Sequence, residues 1–229
     1  MGVAAGVPAG APSGDSFGRM LEAVASARLV PVVSLASVEQ ALPLADALIA
    51  GGIAAVEITL RTASGVGAIA ALAGYSDRLT VGAGTVVSPE QLDEVADAGA
   101  EFVISPGIDE AVVRRSLARG ILPIPGVATA SEVQLAQRLG LGAVKAFPAS
   151  LLGGPGFVRA MRGPFPEMRF LPSGGVSLAN AAEYLATPGV LAVSGSWMVP
   201  DDAVASSDWE RIAALGAAAM AALGADPLG

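Results

Sequence analysis

The chain is 229 residues long, 53% apolar, with a formal net charge of −8 and neither cysteine nor histidine. That length suits one well-buried domain or at most two small ones, and the acidic balance argues against nucleic acid and anionic membrane as partners. The missing residue types exclude disulfides, thiol chemistry, imidazole acid–base catalysis and nearly every zinc site, leaving only an oxygen-ligated ion such as magnesium as a conceivable metal.

No apolar run reaches bilayer-spanning length, and the N-terminus lacks a basic segment followed by an apolar core and a cleavage site. The expectation is a soluble cytoplasmic protein. Residues 1–14 are dominated by Gly, Ala, Pro and Ser, the composition of a disordered tail, and residues 15–229 read as a single domain.

From Ser16 to Ala27 apolar residues recur at helical spacing, with Asp15 or Ser16 placed to cap. A rhythm then sets in. Strands are expected at 29–35, 55–60, 79–84, 102–105, 122–126, 143–147, 169–172 and 190–194. Helices are expected between and after them at 37–50, 64–73, 89–98, 109–119, 131–139, around 157–161, 178–186 and 208–223, most of them closed by glycine. Strands apolar throughout suit a parallel sheet covered on both faces. Eight such units predict a (β/α)8 TIM barrel with an extra N-terminal helix. A doubly wound open sheet is the alternative, and no Gly-x-Gly-x-x-Gly follows the first strand to support a dinucleotide site.

Lys145, in Gly142-Ala143-Val144-Lys145-Ala146-Phe147-Pro148, is the only lysine; every other basic residue is arginine. Burial on an apolar strand favours the neutral amine, which attacks carbonyl carbon as guanidinium cannot. The competing reading is a lysine whose head snorkels to the surface. On the second strand, Glu57, Thr59 and Arg61 alternate with Val56, Ile58 and Leu60, so the polar set is expected to face the barrel axis. Glu57 and Arg61 are then either a structural ion pair with each other or part of a site shared with Lys145.

A barrel carries its chemistry at strand C-terminal ends. Those ends are rich in Gly, Pro and hydroxyls: Gly82-Ala83-Gly84-Thr85, Ser105-Pro106-Gly107, Pro123-Ile124-Pro125-Gly126, Pro172-Ser173-Gly174-Gly175-Val176 and Ser194-Gly195-Ser196-Trp197. Ser173, Gly174, Gly175, Gly195 and Ser196 follow strands seven and eight, where barrels commonly hold phosphate, although ordinary tight turns would use the same residues. A buried amine, a carboxylate, an arginine and a phosphate cradle suit a lysine Schiff base with a keto acid, Glu57 moving protons and Arg61 holding the carboxylate.

Together with Val30-Pro31-Val32-Val33, Glu57-Ile58-Thr59-Leu60-Arg61-Thr62 and Gly195-Ser196-Trp197-Met198-Val199-Pro200, these motifs run in order from about residue 29 to 200. In order and spacing the chain resembles the bacterial 2-keto-3-deoxy-6-phosphogluconate aldolases, which often also cleave 4-hydroxy-2-oxoglutarate. The resemblance implies a class I aldolase that acts on a phosphorylated keto-sugar acid, forms a homotrimer and needs no metal or other cofactor. It implies that Lys145 forms the Schiff base with pyruvate, Glu57 shuttles protons and Arg61 binds the carboxylate. Thr85, Pro106 and Phe147 would line the pyruvyl pocket, and Ser173, Gly174, Gly175 and Ser196 would hold phosphate.

Ser173 stands where that family commonly has threonine, and Ala146 where it often has a bulkier residue; the first keeps the hydroxyl and the second is expected to alter packing only. The segment Leu60-Arg61-Thr62 leans towards the gluconate over the galactonate epimer. Three other readings stay open at this point: a phosphogalactonate aldolase, a phosphosugar isomerase or epimerase, and a non-catalytic phosphometabolite-binding barrel.

Overall fold

The computed structural model describes residues 14–224. The tail expected over 1–14 lies outside the described residues except for Gly14, which already belongs to the first helix, α1 (Gly14–Ala27). Eight strands follow: β1 (Leu29–Val33), β2 (Ala55–Thr59), β3 (Thr80–Gly84), β4 (Phe102–Ser105), β5 (Leu122–Val127), β6 (Ala143–Ala146), β7 (Arg169–Pro172) and β8 (Val193–Gly195). The helices between and after them are α2 (Ala41–Ala50), α3 (Gly65–Leu72), α4 (Pro89–Asp97), α5 (Glu110–Arg119), α6 (Ala130–Arg138), α7 (Pro155–Arg162), α8 (Ala181–Leu185), α9 (Asp201–Ala205) and α10 (Trp209–Ala222).

Each strand from β1 to β6 pairs in parallel with the next, and β1 also pairs with β8, giving the order β7-β6-β5-β4-β3-β2-β1-β8. The remaining gap is spanned by two parallel bridges, Phe170↔Val190 and Ser173↔Ser194. The result is a nearly closed (β/α)8 barrel, as the strand count predicts, and the open-sheet alternative falls. Two ends move. The last strand starts at Val193 instead of residue 190, because Val190 already bridges to Phe170. The first ends at Val33, short of Leu35.

Helix starts follow local chemistry. Ser88, Asp109, Thr129 and Asp208 each accept a hydrogen bond from a backbone N–H of the first turn, meeting donors that have no partner inside the helix. The helix expected directly after β1 opens instead as a single tight turn over Val38–Gln40 before α2. The short α9 has no counterpart among the expected elements; five residues leave too little periodicity to read.

Strand alternation divides the core. Outward residues such as Val33, Val56, Ile58, Val81 and Val193 pack with apolar residues of the helices. Inward residues Val30, Ala55, Phe102, Ile104, Leu122, Ile124, Ala143 and Leu171 fill the lower barrel, and Phe17, Met20, Leu21 and Val24 of α1 pack against them. The helix thus plugs the strand N-terminal end. Only the C-terminal end is left for chemistry.

Candidate active site

Lys145 projects from β6, whose neighbours in register are Gly126 on β5 and Leu171 on β7. The side chain is 6% exposed, so it does not reach the surface, and the snorkelling reading fails. Its Nζ lies 3.5 Å from Glu57 Oε1 and 5.1 Å from the centre of the Phe147 ring. Glu57 is 1% exposed on β2, and its second oxygen, Oε2, is buried with no hydrogen-bond partner among the described residues.

Room for that carboxylate is made by glycine. A Cβ on Gly84 would run into Glu57 Oε1 and come within 2.6 Å of its Cγ. Below it, Phe102 fills the space over Gly82. Thr59, fully buried, shares a 2.7 Å hydroxyl contact with Ser34. The Lys145–Glu57 contact is long for a charge-assisted hydrogen bond, and taking both groups out of water costs more than such a pair returns in stability. An arrangement of that kind suits proton traffic better than it suits holding strands together.

Arg61 behaves differently from the strand-alternation expectation. β2 ends at Thr59; Leu60 donates its N–H to Gly84 O, and the chain then turns. Arg61 therefore leaves the barrel interior for the mouth, where it is exposed. It forms no ion pair with Glu57, which meets Lys145 instead, so the Glu57–Arg61 structural pair is corrected. The period-2 argument fails at Arg61, two residues past the strand, where the backbone no longer alternates.

A cavity of about 210 Å³ opens above the lysine. Lys145, Arg61, Phe147, Ser173, Gly174, Gly175, Gly195 and Ser196 all line it, so eight of the eleven expected site residues converge on one volume. Glu57 reaches it through Lys145. Thr85 and Pro106 stand on the same end of the barrel, after β3 and β4, but are not among the lining residues. Gly174 and Gly175 both have positive φ, +86° and +81°, which only glycine adopts without strain. A Cβ on Gly175 would also strike the Ser150 side chain. Successive backbone N–H groups in such a turn make a concavity suited to an anion.

Val32, Ser34, Val176 and Asp201 also line the cavity and were not singled out from sequence. Ser34 had a usable signal, since it alternates with Val30 and Val32; Asp201 had none without α9.

The match to a family model, "Aldolase: KDPG and KHG aldolase", spans residues 20–215. This chain belongs to that family. It is an aldolase, a carbon–carbon lyase. Among its relatives, a 2-dehydro-3-deoxy-phosphogluconate aldolase of Treponema pallidum is 46% identical over 86% of this chain and 93% of its own length. The enzyme of the same name from Pseudomonas aeruginosa is also 46% identical, over 85% and 88%. In three dimensions the aldolase is similar to KDPG aldolase from Legionella pneumophila, whose structure holds pyruvate captured at low pH as a covalent carbinolamine intermediate. That similarity has TM-score 0.83 and 40% identity, covering 87% of this chain and 97% of the other. In the aldolase, the amine buried beside a carboxylate at the foot of a polar cavity is a group able to form such an adduct. Among the described residues, no helix is long and apolar enough to cross a membrane.

Proposed function

We propose that this aldolase reversibly cleaves 2-keto-3-deoxy-6-phosphogluconate to pyruvate and glyceraldehyde 3-phosphate through a Schiff base on Lys145. It would split 4-hydroxy-2-oxoglutarate to pyruvate and glyoxylate by the same route. The observation that carries this reading is the 3.5 Å approach of the sole lysine to a buried carboxylate.

In this mechanism the Lys145 amine adds to the C2 carbonyl, and Glu57 relays the proton to the new hydroxyl. Water then leaves the carbinolamine with Glu57 as the acid, giving an iminium. Glu57, now a carboxylate, takes the C4 hydroxyl proton as the C3–C4 bond breaks. The aldehyde departs, and the bonding pair is held as an enamine conjugated to nitrogen. Protonation at C3 and addition of one water release pyruvate and restore the amine. Arg61 at the mouth holds the substrate carboxylate. Phe147, whose ring lies beside Nζ, keeps one side of the pocket apolar, and Thr85 and Pro106 complete it on substrate binding. Ser173, Gly174, Gly175, Gly195 and Ser196 receive the phosphate on hydroxyls and backbone N–H groups. No step calls for a metal or an organic cofactor.

The 46% identity to relatives named phosphogluconate aldolases supports the gluconate over the galactonate epimer. With the reading come a homotrimer and a place in the cytoplasm. Borohydride reduction in the presence of pyruvate is expected to add one reduced pyruvyl group, on Lys145, and to abolish activity. Unchanged mass with full activity would refute the mechanism. Lys145→Arg is expected to be inactive; a phosphosugar isomerase or epimerase would keep part of its turnover. A non-catalytic binding barrel would show ligand-induced stabilisation without any pyruvate-dependent mass change.

A further inference from the structure

Two charged side chains at the cavity mouth have no ion-pair partner among the described residues: Arg61 and Asp201. The neighbouring Asp202, by contrast, is held by Arg211 at 2.7 Å. Arg61, Asp201 and Ser34 line both the main cavity and an adjoining one of about 280 Å³. Other polar groups of that second cavity are already engaged. Gln40 accepts from the Ala36 and Ser37 N–H groups and donates to Val204 O; Thr62 donates to Leu35 O. The uncommitted hydrogen-bonding and charge capacity of that second cavity therefore rests on one guanidinium and one carboxylate.

Asp201 is the only carboxylate lining the main cavity, and Lys145 and Arg61 are its only bases. The proposed function commits both bases to the pyruvyl half of the substrate. The residues it assigns to phosphate supply hydroxyls and backbone N–H groups, and no formal positive charge. A phosphate dianion there shares one cavity with the Asp201 carboxylate, both bases being committed to the other half of the substrate, in a chain already at −8. A hydroxyl in the same place suffers no such repulsion, and can donate a hydrogen bond to the carboxylate.

We propose that Asp201 is a specificity-determining residue for the aldehyde half of the substrate, counting against a phosphate and in favour of a hydroxyl. The aldolase then turns over unphosphorylated 2-keto-3-deoxy sugar acids alongside phosphorylated ones, and its discrimination is set at the mouth, away from the reacting carbons. The proposal rests on the aldol reading of the site above.

The test compares 2-keto-3-deoxy-6-phosphogluconate with 2-keto-3-deoxygluconate in the wild type, Asp201→Asn and Asp201→Ala. Both substrates carry the same carboxylate, so their ratio isolates the phosphate. In each variant the phosphorylated-to-unphosphorylated ratio of kcat/KM is expected to rise about threefold to tenfold, through a lower KM for the phosphorylated substrate. Inorganic phosphate, as a competitive inhibitor, is expected to tighten by a similar factor. A ratio within about twofold of wild type in both variants overturns the proposal, because a carboxylate and a dianion bordering one cavity of about 210 Å³ must interact. Pyruvate trapping by borohydride separates the two levels. If the wild type traps pyruvate and the ratio stays fixed, only the role of Asp201 falls; if the wild type traps nothing, the aldol reading falls and takes this one with it. Asp201 is exposed and its side chain makes no hydrogen bond or ion pair among the described residues, so both variants are expected to melt with the wild type.

Discussion

At the scale of single residues, the site depends on Glu57 being allowed inside the barrel. Glu57→Gln keeps the shape but removes the proton acceptor. It is expected to lower kcat by about 10²–10⁴-fold while pyruvate is still trapped on Lys145. Full turnover without trapping would contradict the roles assigned. Gly84→Ala inserts a methyl where the Glu57 carboxylate lies. Overpacking of that kind costs about 1–3 kcal/mol, and the carboxylate, as the softer neighbour, is expected to move. Stability from chemical denaturation and turnover should therefore fall together. Below the site, Glu101 is half-buried and accepts a hydrogen bond from Val81 N–H. Desolvation raises its carboxyl above the usual range, and the Val81 N–H only partly opposes this. The folded state then keeps a proton that the unfolded chain has released, so ionisation costs stability as pH rises through the raised value. Glu101→Gln removes that slope. Its melting temperature relative to wild type is expected to climb between about pH 4 and pH 7.

At the scale of elements, helices are tied to one another as well as to the sheet. Asp93 of α4 accepts both Nε and Nη2 of Arg115 and Nη1 of Arg119 from α5, while Arg119 also reaches Asp97. The Arg115 guanidinium, with help from Arg119, holds the Asp93 carboxyl below its usual value. A lowered carboxyl contributes stability above the unfolded-state value, and that contribution is lost as pH falls through the folded one. Asp93→Asn is expected to melt earlier than wild type at neutral pH, with the gap closing below about pH 4 and in high salt. The plug helix answers to apolar burial. Val24 of α1 is fully buried against the barrel floor. Its replacement by alanine is expected to cost about 1–2 kcal/mol, read from chemical denaturation, with the chemistry at the far end unaffected.

At the scale of the molecule, the barrel is strongest where strands share full ladders and weakest where it closes. β2 and β3 pair over five residues, whereas the seam between β7 and β8 is bridged, among the described residues, only at Phe170↔Val190 and Ser173↔Ser194, each with one residue outside the strands. Amides along that seam are expected to exchange with deuterium sooner than those between β2 and β3. Equal protection would show that closure is as firm as the rest of the ring. Ser173 and Ser194 lie on the seam, beside the loops proposed to take phosphate, so ligand binding is expected to slow exchange there first.

The amino-acid sequence by itself determined the alternation of strands and helices, because apolar runs, caps and helix-ending glycines are local signals. It also singled out Lys145, since a lone amine in a chain of arginines stands out in one dimension. Only the tertiary structure decided what that amine meets. β6 and β2 face each other across a barrel, so the Lys145–Glu57 contact joins residues 88 apart in the chain, and no local pattern encodes that distance. The tertiary structure likewise moved Arg61 from the interior to the mouth, because the strand stops two residues before it. It brought Asp201 to the same opening on a helix too short to show a period. Local chemistry writes the elements; which side chains share a cavity is fixed by how the ring closes.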